Sequence, residues 1–294
     1  MTLSELKSAT RFLTRSRRTA AAAVACIALG TAAVSGVASL LSAALLRPLP
    51  FPEADRLVRV WLTEEAGGDR NGVAPGDVAD LRELAVFDRA EAATRARATF
   101  LGETGGRRVE GEGVTSGYFD LVGAGLSRGR FFTAEEHATG APVMLLTHEA
   151  WGRLFALGDS ALGAAIPTPD AVYTVVGVLD PSFTGTIEDD SGEIEFFVPV
   201  PVGEGDGGRA GGNVWAIARL APGVPREHAG RAVAALGARI AASHPRERAG
   251  TSLRVEAVSE NWRGGLRPGL WLLLGAAGLL LVVAATNVGG LMLA

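Results

Sequence analysis

Two long apolar stretches without a charged residue, one near each end of the chain, limit what it can fold into more than any other feature. The first runs from Thr19 to Leu46, between Arg18 and Arg47, and the second from Pro268 to Ala294. A helix rises about 1.5 Å per residue, so roughly 20 apolar residues cross a hydrocarbon core about 30 Å thick. Both stretches exceed that length. A core helix of a water-soluble domain keeps one polar face, and neither stretch has one. The expectation is a transmembrane helix at 19–46 and a second at 268–294, the latter truncated where the chain stops.

Charge sets the orientation. Lys7, Arg11, Arg15, Arg17 and Arg18 precede the first stretch, against Glu5 alone. Basic residues beside a span stay on the cytoplasmic side. Residues 1–18 are therefore expected in the cytoplasm and 47–267 outside it. A cleaved signal peptide fits poorly, because its apolar stretch is only about 7–15 residues long. A lipoprotein signal fits loosely at Ala23-Val24-Ala25-Cys26, but the apolar run continues well beyond Cys26. Cys26 reads as a small lipid-facing or helix-packing residue.

The outer segment is long enough to bury a real core, as one large or two small lobes. With one cysteine in the chain no internal disulfide can form. Nucleic-acid binding needs clustered Lys and Arg, whereas the net charge is −4 and basic residues cluster only at the N-terminus. Lys7 is the single lysine, and no glycine-rich turn precedes it. A P-loop needs both, so this chain carries no Walker A motif and is not itself expected to be an ATPase. None of His137, His148, His228 and His244 has the spacing of a zinc pair. His148 falls in a capping region, where Thr147 reads as the N-cap of a short helix reaching Phe155. Glu188, Asp189, Asp190, Glu193 and Glu195 (loop 188–195) are dense enough to suggest a cation site, but lack the alternating ligands and central glycine of a calcium loop. A solvated loop is expected there. No serine sits in a Gly-x-Ser-x-Gly elbow. No catalytic, cofactor-binding or metal-ligating residue is assigned, and an enzyme is not expected.

Periodicity predicts mixed α and β in the outer segment. Strands are expected at Arg56–Leu62, Tyr173–Leu179, Ile194–Val200, Val214–Leu220 and Leu253–Val258. Arg95–Leu101 and Arg107–Val114 suggest a hairpin turning at Glu103-Thr104-Gly105-Gly106. Helices are expected at Gly76–Leu84, Ser116–Val122 and His148–Phe155. A longer one at Arg226–Ser243 places Ala229, Val233, Leu236 and Ile240 on one face. The strand–helix–strand patterns at both ends suggest an α+β lobe, about 47–124 plus 202–260, with a second lobe inserted at about 125–201.

Several colinear motifs carry a resemblance. They are Leu45-Leu46-Arg47-Pro48-Leu49-Pro50-Phe51-Pro52, then Asp55-Arg56-Leu57-Val58, then Val114-Thr115-Ser116-Gly117-Tyr118-Phe119-Asp120-Leu121-Val122-Gly123. Gly129-Arg130-Phe131-Phe132-Thr133, Leu145 to Trp151, Tyr173 to Val178 and Ala284-Ala285-Thr286-Asn287-Val288 follow in order. Together they resemble the permease of a MacB-type ABC transporter, within the broader FtsX-like class, of the variety without a fused ATPase. Gly72–Leu84 and Ala161–Ala171 depart from the pattern.

The resemblance implies an α+β membrane protein: two transmembrane helices flanking a two-lobed mixed α/β periplasmic core, 47–267, with one porter-like and one inserted lobe. It implies a bacterial inner-membrane permease whose partner ATP-binding subunit hydrolyses ATP in the cytoplasm. The periplasmic lobes would then move, for efflux or mechanotransmission. Membrane lipids, a periplasmic adaptor or cargo protein, and a dimer or two-half permease are the implied partners. The alternative is a membrane-anchored extracytoplasmic sensor or binding module. Small residues in the first span (Ala20–Ala23, Gly30, Ala32, Ala33, Gly36, Ala38) permit close helix contact, and Asn287 is the strongly polar residue of the second.

Overall fold

The structure is a computed structural model that describes residues 17–46, 49–64, 70–102, 105–155, 161–183, 194–201, 214–260 and 267–293. In chain order, helix α1 (Arg17–Leu46) is followed by a 3-10 turn at Ala54–Arg56, β1 (Leu57–Glu64), β2 (Arg70–Asn71) and α2 (Pro75–Arg82). Next come β3 (Phe87–Gly102), β4 (Gly105–Val114), α3 (Tyr118–Val122), β5 (Leu126–Gly129) and α4 (Ala134–Thr139). Then follow β6 (Val143–Leu146), α5 (His148–Phe155), β7 (Ala165–Pro167), β8 (Val172–Leu179) and β9 (Ile194–Pro199). The chain closes with β10 (Val214–Leu220), α6 (Arg226–Ser243), α7 (Pro245–Arg248), β11 (Thr251–Ala257) and α8 (Arg267–Leu293). Two compact units result: a helical one holding α1 and α8, and a central one, Leu49–Glu260.

In the helical unit α1 and α8 pack against each other where Gly30 is buried. A Cβ at Gly30 would lie 3.0 Å from Leu281 Cδ1, so the missing side chain is what lets the backbones approach. Ala277 is buried, while Val24, Leu29, Leu272, Leu279, Leu280 and Val282 are exposed. Counted over the described side chains alone, no helix is long and apolar enough to cross a membrane. The helical backbones run further, over 30 and 27 residues. The side chains of Cys26 and Asn287 lie outside the described residues.

The central unit is built on one 11-stranded sheet in the order β11-β1-β10-β3-β4-β9-β6-β8-β5, with β2 beside β1 and β7 beside β8. Pairing is antiparallel except between β4 and β9 and between β6 and β8. Val58, Val60 and Leu62 of β1 join Ala216 and Ala218 of β10, Val78 and Leu81 of α2, and Val233, Leu236 and Ile240 of α6 in a first core. Burying each of those larger side chains stabilises the fold by about 1.5–3 kcal/mol. Alternation sends Leu57, Arg59 and Trp61 to the other face of β1, where they are also buried. The Arg59 guanidinium lies 3.8 Å from the Trp61 ring centroid, so an indole covers this buried cation. A second core gathers Phe100 and Val109 of the central hairpin with Met144, Leu146, Ala150, Val175 and Phe196.

In the central unit the expected strands and helices form to within a few residues, including the α6 face of Ala229, Val233, Leu236 and Ile240. Of the expected hairpin turn, Glu103 and Thr104 lie outside the described residues while Gly105 and Gly106 pair in β4. β3 is longer than its periodicity suggests: it begins at Phe87, and Ala90-Glu91-Ala92-Ala93 pair with β10 despite a composition that favours helix. Pairing with β10 along that stretch, joined by β4 from Ala93 onward, overrides local propensity there. β5, β6, β7 and α4 were not expected. The α4 signal is legible afterwards, since Thr133 and Glu136 form a capping box (Thr133 Oγ1 accepts from Glu136 N–H at 3.2 Å, and Glu136 Oε2 from Thr133 N–H at 2.7 Å).

Candidate functional site

Side chains at the root of the β3–β4 hairpin are charged and aromatic. Glu91 of β3 is buried. Its Oε2 accepts from Arg82 Nη2 at 2.8 Å and from Thr115 Oγ1 at 2.5 Å. The same hydroxyl accepts from the Ala92 N–H at 2.9 Å, which ties the end of β4 to β3. Arg82 Nε also donates to the Ala90 carbonyl at 3.0 Å. The carboxylate is thus shared by α2, β3 and the chain leaving β4. Gly117 makes room for it, because a Cβ there would sit 2.3 Å from Glu91 Oε1.

An aromatic layer continues the junction. Phe119 of α3 stacks on Phe131 at 5.1 Å and meets Phe197 of β9 edge-on at 5.4 Å. Phe132 meets the imidazole of His137 edge-on at 5.5 Å. His137, on α4, is 7% exposed, and its buried Nδ1 has no hydrogen-bond partner. Burial holds its pKa below the ordinary histidine value, against the pull of Glu91, Glu136 and the Val114 backbone. Arg130 grips Glu136 through two hydrogen bonds of 2.7 and 2.8 Å and lowers its pKa to about 2.

Further ion pairs anchor each side. Arg248 of α7 donates to Asp77 of α2 at 2.8 Å, with both side chains almost wholly buried. Asp77 Oδ2 also accepts from the Ala74 N–H at 3.1 Å, capping the start of α2, since Ala74 has no side-chain acceptor of its own. Glu195 was expected in a solvated acidic loop. It lies instead in β9, buried, where it accepts from Arg107 at 3.0 and 2.5 Å with Arg153 at 3.6 Å. The reason is its position opposite the hairpin's arginine, 88 residues away in sequence. Glu188, Asp189, Asp190 and Glu193 lie outside the described residues. His148 opens α5 as expected, with Thr147 Oγ1 accepting from Ala150 N–H at 3.2 Å. A polar cleft of about 380 Å³ between α2 and α6 has Asp80 and Glu83 on one bank and Arg239 and His244 on the other. Among the described residues no three His, Cys, Asp or Glu side chains gather as a metal site. The junction ties α2, β3 and the chain leaving β4 together through directional bonds.

Comparison with known proteins fits this architecture. A family model described as the MacB-like periplasmic core domain matches residues 20–236. No curated protein matches. Among solved structures, the periplasmic region of MacB from Actinobacillus actinomycetemcomitans superposes with a TM-score of 0.54 at 13% identity, covering 74% of this chain and 94% of that one. A domain of a putative permease protein from Porphyromonas gingivalis gives 0.52 at 16% identity, covering 70% and 91%. The extracellular domain of the noncanonic ABC-type transporter YknZ from Gram-positive bacteria gives 0.50 at 15% identity, covering 68% and 99%. At these identities the likeness is one of fold.

Proposed function

The chain belongs to the family of MacB-like periplasmic core domains of ABC transporter permeases, and from that premise we propose that it passes the work of a partner ATPase to its extracytoplasmic domain. The observation that carries this reading is the pairing of β1 with β11. These strands, the first after α1 and the last before α8, run antiparallel in register from Val58 opposite Ala257 to Glu64 opposite Thr251. The start of β1 and the end of β11, from which the chain leads to α1 and α8, therefore lie side by side in one strand pair. Any shift of one connection against the other loads that pair, and through β10 and β3 it loads the hairpin root.

In this proposal α1 and α8 are transmembrane. At about 1.5 Å per residue they are long enough, at 30 and 27 residues, to exceed a hydrocarbon core about 30 Å thick. Their exposed leucines and valines ask for lipid rather than water. The N-terminus is cytoplasmic, the central domain lies outside, and the assembly is a dimer or a two-half permease working with an adaptor or cargo protein. The cargo is moved, or the partner activated, by the motion of the porter-like and inserted lobes.

The test is affinity purification of the full-length protein from gently solubilised, cross-linked membranes, read by mass spectrometry. Near-stoichiometric recovery of an ATP-binding subunit is expected. Recovery with no ATPase would overturn the reading in favour of an anchored sensor or binding module.

A further inference from the structure

We propose that His137 is a proton-released latch, holding α4 against the hairpin root while its imidazole is neutral and letting α4 go when it takes a proton. This rests on the folded geometry of the central unit and would hold whether or not a partner ATPase drives it.

The case begins with placement. α4 is only six residues long, too short to be stable alone, so its position depends on what it touches. His137 is its one buried residue. Its ring meets Phe132, bonds to the Val114 backbone and lies within electrostatic reach of Glu91 and Arg82, so the seat of the helix is this imidazole. Gly140, in the left-handed conformation at φ 61°, ends the helix immediately afterwards and leaves no second turn to share the load.

The charged groups facing the imidazole decide what a proton does there. From β3 comes Glu91, from α4 itself Glu136, from α2 Arg82, and from β4 the Val114 backbone. The two carboxylates would welcome an imidazolium. Glu91, however, is already engaged by Arg82 and Thr115, and Glu136 by Arg130. An added charge would have to break one of those bonds or remain poorly solvated, and burial outweighs the attraction. Moving α4 outward lets water solvate the ring. The docked form is thus the neutral form.

The size of the effect follows from linkage. Because the docked imidazole titrates below the free one, whose ordinary pKa is about 6.5, docking weakens as pH falls through that range. Between pH 7.5 and 5.5 one proton taken up by the undocked ring alone sets a ceiling of about tenfold on this weakening.

The experiment is hydrogen–deuterium exchange of the full chain in detergent at pH 7.5 and 5.5, each time beside His137→Phe and His137→Gln measured at the same pH. Comparison at equal pH removes the pH dependence of the exchange chemistry. Relative to the variants, wild-type α4 amides should lose protection severalfold, up to about tenfold, on going to pH 5.5, while β3 and β10 stay protected. The two variants should show no such change. His137→Gln keeps a polar side chain of similar reach, so a folding failure of the phenylalanine variant still leaves a reference. Wild-type protection that stays level, or falls equally in the variants, would overturn the latch.

Discussion

Replacing Asp77 by Asn tests how far the buried anchor of α2 holds the domain together. Asn keeps an oxygen that can accept from the Ala74 N–H, so the cap survives and only the charge is lost. The Arg248 guanidinium then loses a carboxylate at 2.8 Å while only 2% of its side chain is exposed. Removing one partner of a buried pair costs about 3–5 kcal/mol, against a total stability of about 5–15 kcal/mol. With a urea dependence of about 2–3 kcal/mol per M for a domain of this size, the midpoint should fall by about 1–2 M. The assay is urea unfolding of the full chain in detergent, followed by tryptophan fluorescence. Asp77→Asn combined with Arg248→Met should recover most of the loss, because the double change removes both charges. A single variant within about 1 kcal/mol of wild type would refute the reasoning, and so would a double variant no better than the single.

Further outcomes can be measured in the same preparation. Gly117→Ala should cost about 1–3 kcal/mol, seen as a Tm lower by several degrees, because its Cβ would press on the engaged Glu91 carboxylate. Gly30→Leu should separate α1 from α8, and a cysteine pair placed across that contact should then lose its spontaneous cross-linking. Arg130→Gln should lower stability near neutral pH and leave it little changed in acid: Glu136 has a folded pKa of about 2, below its ordinary 4.5, so its contribution is complete above about pH 4.5 and is lost as pH falls toward 2. Thermal melts from pH 6 to pH 2.5 should therefore slope more steeply in wild type than in the variant.

Much of the local structure is legible in the chain. The apolar stretches read as helices, α6 announces its buried face, and β1, β8, β9 and β10 stand out as β-branched or aromatic runs. These follow from the periods of helix and strand, which act over a few residues. β6 and β7 escape notice because four and three residues carry too little pattern to separate a strand from a loop. β3 is read short because Ala and Glu mask a stretch that only its neighbours make extended.

The sequence by itself determined two helices built on charge-free stretches, a substantial polar domain between them and the absence of a P-loop. Only the tertiary structure decided the strand order, the parallel seams of β4 with β9 and β6 with β8, and which charges meet inside. Nothing near Asp77 marks Arg248 as its partner 171 residues later, and nothing near Glu195 marks Arg107. His137 looks like an ordinary exposed helix residue until α4 is seated on the hairpin root. Local preferences arise within a turn or a pleat, whereas the choice of long-range partners is made by the whole sheet closing over two cores at once.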